Sequence, residues 1–310
     1  MGFKSAFHGT RAAVPKYTRE VIASVRERNH RHAGLDPAAG LARVSEHELG
    51  AFWIGHATVL MRIGGLNILT DPVFSRRIGM SVGGVTIGMA RICPPAADVD
   101  HLPKIDVVML SHAHFDHLDR PSLKRLASGP GKGAMVVTAQ HTRKLIPPGF
   151  GEVLELPWRQ SLRLGESGVV VHSMQPEHWG ARTALDRHRR FNSYLLESAG
   201  GRVLFAGDTA HTHAFDSLGP IGVDLALFGI GGYNPWEHAH ATPEQVWSMY
   251  TRLSGGSPRG VLLPMHHSTF VLGREPLNEP IERLRAVAGE HAGRIVAAMP
   301  GEVWVGGAKS

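Results

Sequence analysis

Short apolar runs alternate with turn residues along most of the chain, and this pattern predicts a succession of short β-strands. The first of them lie in the stretch AFWIGHATVLMRIGGLNILTDP, where two or three strands turn at IGHA and at GGLN and stop at Asp71 and Pro72. The later predicted strands are Asp106–Leu110, Ala134–Thr138, Val169–Met174, Asn192–Glu197, Arg202–Ala206, Asp224–Gly229, Gly260–Leu263 and Arg294–Ala298.

Helices are predicted where the spacing of apolar residues changes to the helical period. An amphipathic helix over residues 15–30 would present its valines and its isoleucine on one face. Three more helices are predicted at Pro121–Ala127, Pro243–Leu253 and Glu279–Ala288. The helix that begins at Pro243 has a capping-box pattern, with Thr242 as the cap and Gln245 three residues later. Strands interspersed with helices are typical of an α/β layered fold.

No linker rich in proline or serine and no low-complexity tract divides the chain. We therefore predict a single domain over residues 46–310, preceded by an N-terminal helical extension over residues 1–45. Two β-rich halves, roughly residues 50–180 and 190–305, show no clear repeat of sequence. The glycine-rich stretch at residues 78–90 has no clear period, and we expect a mobile loop there, near the functional site.

Composition and charge narrow the classes of function. The chain has 310 residues and one cysteine, which excludes an internal disulfide framework and a four-cysteine metal site. The absence of an apolar signal segment and of a long apolar run favours a cytoplasmic protein without a transmembrane helix. The net charge of +6 comes from scattered basic residues, so there is no strong nucleic-acid signal. The 20 histidines stand out, because histidine is the commonest metal ligand.

The stretch SHAHFDHLD directly follows a predicted strand and concentrates metal-binding side chains. His112 and His114 are two positions apart, so they point to the same side of an extended backbone. Asp116 and His117 follow where the chain turns toward a helix. Imidazole and carboxylate groups crowded at one strand end are unfavourable unless a divalent cation organises them. These four donors could serve one metal ion or be divided between two.

Three further candidates favour two metal ions. His178, Asp208 and His266 each lie just past an apolar, strand-like run, and loops at strand ends are where α/β folds place ligands. Each ion would keep an open position for a shared water, as in catalytic sites. Zinc suits these nitrogen and oxygen donors, and manganese and iron are compatible with them. The predicted ligands are His112, His114 and His178 for one ion and Asp116, His117 and His266 for the other, with Asp208 as the bridge.

The order of these motifs resembles the metallo-β-lactamase-fold hydrolases over nearly the whole chain. Several stretches are similar to the branch that contains N-acyl-phosphatidylethanolamine phospholipase D and ascorbate-6-phosphate lactonase, namely WIGHATVL, NILTDPVFS, SHAHFDHLD, HWGARTALD, FAGDTA, GGYNP, HATPEQ and MHHSTF. The resemblance implies a four-layered αββα sandwich with a dinuclear site at the edge of its two sheets. It also implies that Asp71 supports a ligand and does not itself bind metal.

The chain departs from that branch at His267, which takes the place of a tryptophan in the pocket wall. A second departure follows the G-D-T motif, where His211 and His213 stand in place of an aromatic residue. We treat these three histidines as candidate pocket residues.

Four other residues are candidates for supporting or substrate-binding roles. Asp71 either orients a ligand histidine or makes a local Asp-Pro turn, and His56, in a turn between strands, is similar. His240 corresponds to a histidine that the branch usually has, and it either donates a proton to the leaving group, binds substrate, or caps or packs a helix. Arg182 either holds a phosphate or carboxylate or forms a structural ion pair.

Together these features predict a dinuclear metal-dependent hydrolase that uses a metal-bridging hydroxide. Asp116 and Asp208 either act only as ligands or also assist proton transfer, and His240 is a third catalytic candidate. The phospholipase resemblance, the basic charge and Arg182 favour a phosphodiester substrate, whereas the lactonase relatives favour a lactone or another ester. A non-catalytic scaffold that binds metal or nucleic acid is a remote alternative, against which the complete ligand set argues.

The expected partner is a small-molecule or lipid-like substrate. Peripheral membrane contact is a further expectation for a phospholipid substrate, and the N-terminal helix and the stretch at residues 78–90 are the candidate surfaces for it. The sequence leaves the oligomeric state open.

Overall fold

The computed structural model describes residues 36–306 except 84, 184 and 254–259. Two sheets and a hairpin account for the strands of this part of the chain. The strands are β1 Leu49–Gly55, β2 Thr58–Ile63, β3 Leu66–Thr70, β4 Arg77–Val82, β5 Val85–Ala90, β6 Val107–Leu110, β7 Met135–Thr138, β8 Val153–Glu155, β9 Ser161–Arg163, β10 Val170–Met174, β11 Ser193–Ser198, β12 Gly201–Phe205, β13 Leu225–Gly229, β14 Val261–Met265 and β15 Val303–Val305.

The first sheet has seven strands in the order β15-β1-β2-β3-β6-β7-β8, and the second has six in the order β14-β13-β12-β11-β10-β9. Strands β4 and β5 pair only with each other. The α-helices of the described residues are α1 Pro37–Ser45, α2 Arg120–Ser128, α3 Pro243–Arg252 and α4 Glu279–Ala288. None of these helices is both long enough and apolar enough to cross a bilayer.

The packing produces four layers, because strands of both sheets are buried on both faces. In β1, Ala51 and Trp53 enter the core between the two sheets, while Phe52 and Ile54 enter a core on the outer face of the first sheet. This alternation follows from the two-residue period of a strand. Helices α1 and α2 contribute to the core on that outer face, and α3 and α4 cover the outer face of the second sheet. The αββα sandwich expected from the sequence is therefore confirmed.

Most of the predicted elements are present. The early stretch forms β1, β2 and β3 with turns at the two expected positions. The predicted helices correspond to α2, α3 and α4, and Thr242 and Gln245 form the capping box at the start of α3. The predicted helix at residues 15–30 lies outside the described residues. Helix α1 belongs to the stretch that we assigned to the N-terminal extension, and it packs on the first sheet through Leu41 and Val44.

Two expectations are wrong. The stretch at residues 78–90 is not a loop but falls within the antiparallel hairpin β4–β5, in which Gly79 and Gly88 face each other. A Cβ atom on Gly79 would lie 2.1 Å from a carbonyl oxygen of the other strand, so this close approach requires glycine. The predicted strand Arg294–Ala298 is also absent. In this segment Ile295 forms a single β-bridge with Leu262, and the chain then turns at Pro300 toward β15 in the other sheet.

The topology gathers the candidate residues at one edge of the sandwich. Strands β3 and β6 are parallel neighbours in the first sheet, and β12, β13 and β14 are parallel neighbours in the second. The loops that follow these strands emerge at the same edge of the sandwich. Asp71 follows β3, His112 follows β6, Asp208 follows β12 and His266 follows β14. His56 lies in the turn between β1 and β2 and reaches the same edge.

Candidate metal centre

The structure brings all seven predicted ligands together with three of the supporting candidates. Donor atoms of two groups lie within 4.8 Å of one another in each group. The first group is His112, His114, His178 and Asp208, and the second is His56, Asp116, His117 and His266. Two further groups overlap with them, namely Asp71, His112 and His117, and Asp208, His240 and His266. The assignment of the ligands to two ions therefore stays a prediction, and His56 is near enough to join the second group.

Asp208 lies between the two groups. Its Oδ2 atom is 3.9 Å from His112 Nε2 and 3.7 Å from His178 Nε2 in the first group. The same oxygen is 3.0 Å from His117 Nε2 and 3.2 Å from His266 Nε2 in the second group. The side chain of Asp208 is almost fully buried, so its carboxylate faces these imidazoles with little screening by solvent.

Four of the imidazoles are anchored through Nδ1 by groups outside the two donor sets. The four contacts are from His112 to Ser111 Oγ at 2.9 Å, from His117 to Asp71 Oδ2 at 2.7 Å, from His178 to the carbonyl of Ala239 at 3.0 Å, and from His266 to the carbonyl of Gly231 at 3.3 Å. Such contacts fix the tautomer and the orientation of a ring, which leaves Nε2 of His117, His178 and His266 available for a metal ion, whereas Nε2 of His112 lies 2.8 Å from Nδ1 of His114.

Several of the inward-facing atoms are buried without a hydrogen-bond partner in the described part of the protein. They are Nε2 of His117, His178 and His266 and both carboxylate oxygens of Asp208. Buried polar atoms nearly always have a partner, because an unsatisfied one is costly. Here the unsatisfied atoms converge and are all of the kind that binds divalent cations. The residues therefore fit a metal centre.

The pKa values of the clustered side chains are shifted by burial and by the two carboxylates, which favour positive charge nearby. Burial lowers the pKa of His112 and of His178 well below the ordinary value, which favours the neutral imidazole that binds metal. Burial also acts on His266, but the carboxylates of Asp208 and Asp116 outweigh it and raise the pKa of His266 to about 9. Burial disfavours charge on Asp208, yet the nearby His117 and His266 hold its pKa well below the ordinary value. The two carboxylates thus attract cationic charge into the site.

Asp71 is fully buried and serves the ligand loop. Its Oδ1 accepts a hydrogen bond from the backbone N–H of Ser111 at 2.7 Å, and its Oδ2 accepts one from Ser111 Oγ at 2.5 Å as well as the one from His117. Ser111 in turn contacts His112. Asp71 therefore orients two candidate ligands, directly and through Ser111. Sequence reasoning missed Ser111, although its position between the strand and the first histidine was a usable signal.

Three residues at this edge have left-handed backbone conformations that non-glycine residues rarely adopt. The φ angles are 56° at His56, 28° at Asp71 and 62° at His266. Strain of this kind is retained where the surroundings over-determine the conformation, and it concentrates at functional sites. His56 is fully buried, and its Nε2 lies 3.0 Å from Asp116 Oδ2. Its ring also packs against that of His266, with the centroids 4.2 Å apart.

A cavity of about 210 Å³ opens from the cluster, and His240 lies in its wall. Nδ1 of His240 is 3.8 Å from Asp208 Oδ2, and burial lowers the pKa of the imidazole to about 4. The cap of α3 is Thr242, so His240 has no capping role. Trp179 and Trp236 also line this cavity and remain 41% and 47% exposed, which places them at its mouth. Sequence reasoning did not single out Trp179 as a pocket residue.

Arg182 contacts two backbone carbonyls and an aromatic ring and does not form the structural ion pair that we considered, while a role in binding a substrate phosphate or carboxylate stays a prediction. Its Nη1 donates to the carbonyls of Ala113 and Leu118 at 2.9 and 2.7 Å, and its guanidinium lies 3.9 Å from the ring centroid of Phe115. No carboxylate of the described residues lies within ion-pair distance of it. Arg182 therefore ties together the two ends of the loop that carries His114, Asp116 and His117. It also borders two surface cavities next to the cluster.

The remaining candidate histidines are not part of the cluster. His211 is exposed, and its Nε2 lies 3.3 Å from Nη1 of Arg252. His213 is exposed and pairs with Asp216 at 2.7 Å. His267 is buried, with its ring 4.9 Å from that of Trp53. It packs into the core beside His266 and lines a small cavity of about 20 Å³, which shares Gly232, His266 and Leu272 with the cavity at the cluster.

Comparisons with known proteins agree with this architecture. A family model described as a β-lactamase superfamily domain matches residues 66–267. The chain is 32% identical to an uncharacterised protein of Mycobacterium tuberculosis over 295 residues, which cover 88% of this chain and 74% of the relative. It is 33% identical to the mitochondrial N-acyl-phosphatidylethanolamine-hydrolyzing phospholipase D of Saccharomyces cerevisiae over 248 residues, which cover 76% of this chain and 51% of that enzyme.

A metallo hydrolase of the archaeon Ignicoccus hospitalis superimposes with a TM-score of 0.59 at 22% identity. The match covers 83% of this chain and 97% of that one, which supports the fold. With the sandwich, the donor cluster and the family match taken together, the chain belongs to the β-lactamase superfamily as a metal-dependent hydrolase of the metallo-β-lactamase fold.

Proposed function

We propose that this protein is a dinuclear metal-dependent phosphodiesterase. The observation that carries the proposal is the position of Asp208, whose Oδ2 lies within 3.9 Å of imidazole nitrogens from both donor groups. A carboxylate shared in this way is suited to bridge two cations. The proposed ligands are those expected from the sequence, with zinc as the favoured metal and manganese or iron as alternatives.

Two divalent cations would supply a hydroxide nucleophile at neutral pH and stabilise negative charge that develops on a phosphoryl oxygen. The side chains of the protein would provide orientation and proton transfer. His240 lies in the cavity wall beside Asp208, and because its pKa is lowered to about 4 its imidazole would be neutral at pH 7. It is therefore suited to take up the proton that the attacking hydroxide brings and to relay it to the departing alkoxide. His56 would hold Asp116, and Asp71 would hold His117.

The choice of a phosphodiester is supported by similarity and by charge. Relatives from Saccharomyces cerevisiae and Caenorhabditis elegans are named as phospholipases D that hydrolyse N-acyl-phosphatidylethanolamine. The cavities next to the cluster carry the basic side chains of Arg182, Arg187, Arg120 and Lys124, which suit an anionic substrate. A lactone ring is itself uncharged, so a lactone substrate makes use of this charge only where it carries a phosphate elsewhere, as ascorbate 6-phosphate does. A cytoplasmic location stays a prediction from the sequence.

The test combines metal analysis with a substrate panel. We expect two metal ions per chain in the active protein, and faster hydrolysis of bis-aryl phosphodiesters than of aryl phosphomonoesters or lactones. Asp208→Ala should abolish turnover and lower the metal content. Asp216→Ala is the matched control, because Asp216 pairs with Arg252 on the surface and should tolerate the change. Faster turnover of lactones would replace the phosphodiesterase proposal by the lactonase, and full activity with one ion per chain would contradict the dinuclear centre.

A further inference from the structure

The hairpin β4–β5 carries two exposed apolar side chains side by side. Met80 and Ile87 are directly opposite each other across the hairpin, and they are 56% and 65% exposed. Directly opposed residues on a hairpin lie on the same face, so the two side chains form one apolar patch. Gly79 and Gly88, the neighbouring cross-strand pair, belong to the opposite face of the hairpin, which carries no side chain at that level.

The base of the hairpin is attached to the metal centre, through Ile78, which lies two positions before Met80 on the same face of the strand. Ile78 is buried in a small cluster with Val73 and Phe270, and Phe115 packs against that cluster. Phe115 lies between His114 and Asp116 in the ligand loop. The hairpin is therefore fixed in position next to the candidate active site.

A basic groove runs between the hairpin and the start of α2. It has a volume of about 340 Å³, and its wall includes Met80 together with the basic side chains of Arg120, Lys124 and Arg182. The one acidic side chain in its wall, Asp119, is buried and accepts hydrogen bonds from Ser75 and Ser122. The groove is therefore positively charged directly beside the apolar patch.

The groove continues toward the metal centre. Arg182 is shared with a second cavity of about 560 Å³, which Trp179 and Arg187 also line. Trp179 is shared in turn with the cavity that opens from the donor cluster. Exposed apolar groups, basic side chains and the candidate metal centre thus follow one another along a continuous surface.

We propose that the hairpin β4–β5 docks the protein on the surface of a bilayer that contains anionic phospholipid. Met80 and Ile87 would enter the boundary between head groups and acyl chains, while Arg120 and Lys124 would face lipid phosphates. The class of lipid rests on the proposed phosphodiesterase function, but the binding itself requires no turnover. The combination of apolar and basic groups favours this partner over a second copy of the chain, whose own surface here would be equally basic.

Sedimentation of the full-length, metal-loaded protein with vesicles tests the inference. We expect binding to vesicles of phosphatidylcholine with about one third phosphatidylglycerol, weaker binding to phosphatidylcholine alone, and release as salt is raised. The double variant M80S/I87S should bind at least about tenfold more weakly. Lys124→Glu should weaken binding to the anionic vesicles only. Ile221→Ser removes an isoleucine that is 46% exposed elsewhere on the surface and should bind as the unchanged protein does.

Melting temperatures of all variants identify any that fail to fold. Equal vesicle binding by M80S/I87S and by the unchanged protein would overturn the inference, as would the absence of binding to either vesicle. Light scattering tests whether a second copy of the chain occupies the patch instead. If the unchanged protein is a dimer that does not bind vesicles, and M80S/I87S is a monomer, the patch is a dimer interface. Asp208→Ala should still bind vesicles, so failure of the docking surface and failure of the proposed phosphodiesterase give different results.

Discussion

Asp71 and His117 are both fully buried, and His117 Nδ1 donates to Asp71 Oδ2 at 2.7 Å. The two residues come from loops after different strands, β3 and β6, which are parallel neighbours in the first sheet. The pairing of the two strands therefore fixes the distance between a candidate ligand and the carboxylate that orients it. Because Asp71 also binds Ser111, one carboxylate determines the geometry at the start of the ligand loop.

Asp71→Asn should weaken metal binding without removing a ligand. The amide keeps one acceptor oxygen but presents an N–H₂ group where His117 or Ser111 now donates, so at least one of the three hydrogen bonds must be lost. We expect a roughly 10- to 100-fold loss of metal affinity, measured by competition with a chromogenic chelator. Asp106→Asn is the control, since Asp106 accepts from the backbone of Asn67 at the opposite end of β6. An unchanged affinity in Asp71→Asn would show that His117 does not depend on this carboxylate.

Removal of metal should destabilise the folded protein. The buried imidazoles and carboxylates of the cluster have no other partner for several of their inward-facing atoms, so a cation that binds only the native state adds directly to stability. At a free metal concentration about 1,000-fold above Kd, the contribution is about 4 kcal/mol. We expect a strong chelator to lower the melting temperature and added zinc to restore it. Asp208→Ala should show a much smaller response, and an identical response in that variant would argue against metal binding at the cluster.

Arg182 should act on the rate of reaction more than on the affinity for substrate. Its Nη1 donates both hydrogen bonds, to Ala113 and Leu118, while its planar guanidinium lies against the ring of Phe115; lysine lacks that planar group and is shorter. We expect Arg182→Lys to lower kcat by roughly tenfold or more with little change in KM, because small displacements of catalytic groups are costly. The measurement is steady-state kinetics on a soluble bis-aryl phosphodiester.

The control for Arg182 is Arg187→Lys, which changes another arginine of the same cavity. A rise in KM at constant kcat in Arg182→Lys would instead assign Arg182 to direct binding of the substrate phosphate.

The meeting of the candidate donors at one edge could be predicted from the sequence because its signals are local. The candidate donors lie in loops that follow apolar strands, and parallel strands carry their ends to a common edge. The contacts of Arg182 could not be predicted in this way, since its partners are carbonyl oxygens of residues 113 and 118, and a backbone carbonyl leaves no trace in residue type. The hairpin β4–β5 was missed because paired glycines lack the alternation of side chains that identifies a strand. The position of Trp179 at the cavity mouth depends on packing between distant segments.

The loss of activity on replacing His240 should increase with the need of the leaving group for a proton. Its imidazole lies in the cavity wall 3.8 Å from the central carboxylate, where it can reach a departing oxygen, and its chain neighbour Ala241 is anchored by a hydrogen bond to the carbonyl of Thr209. A nitrophenolate leaves readily without protonation, whereas an alkoxide does not. We therefore expect His240→Ala to slow an alkyl phosphodiester by roughly 10²- to 10⁴-fold and a nitrophenyl phosphodiester by much less. His213→Ala serves as the control, because that exposed imidazole pairs with Asp216 away from the cavity. Equal losses on both substrates would show that His240 positions the substrate or the metal-binding residues and does not transfer a proton.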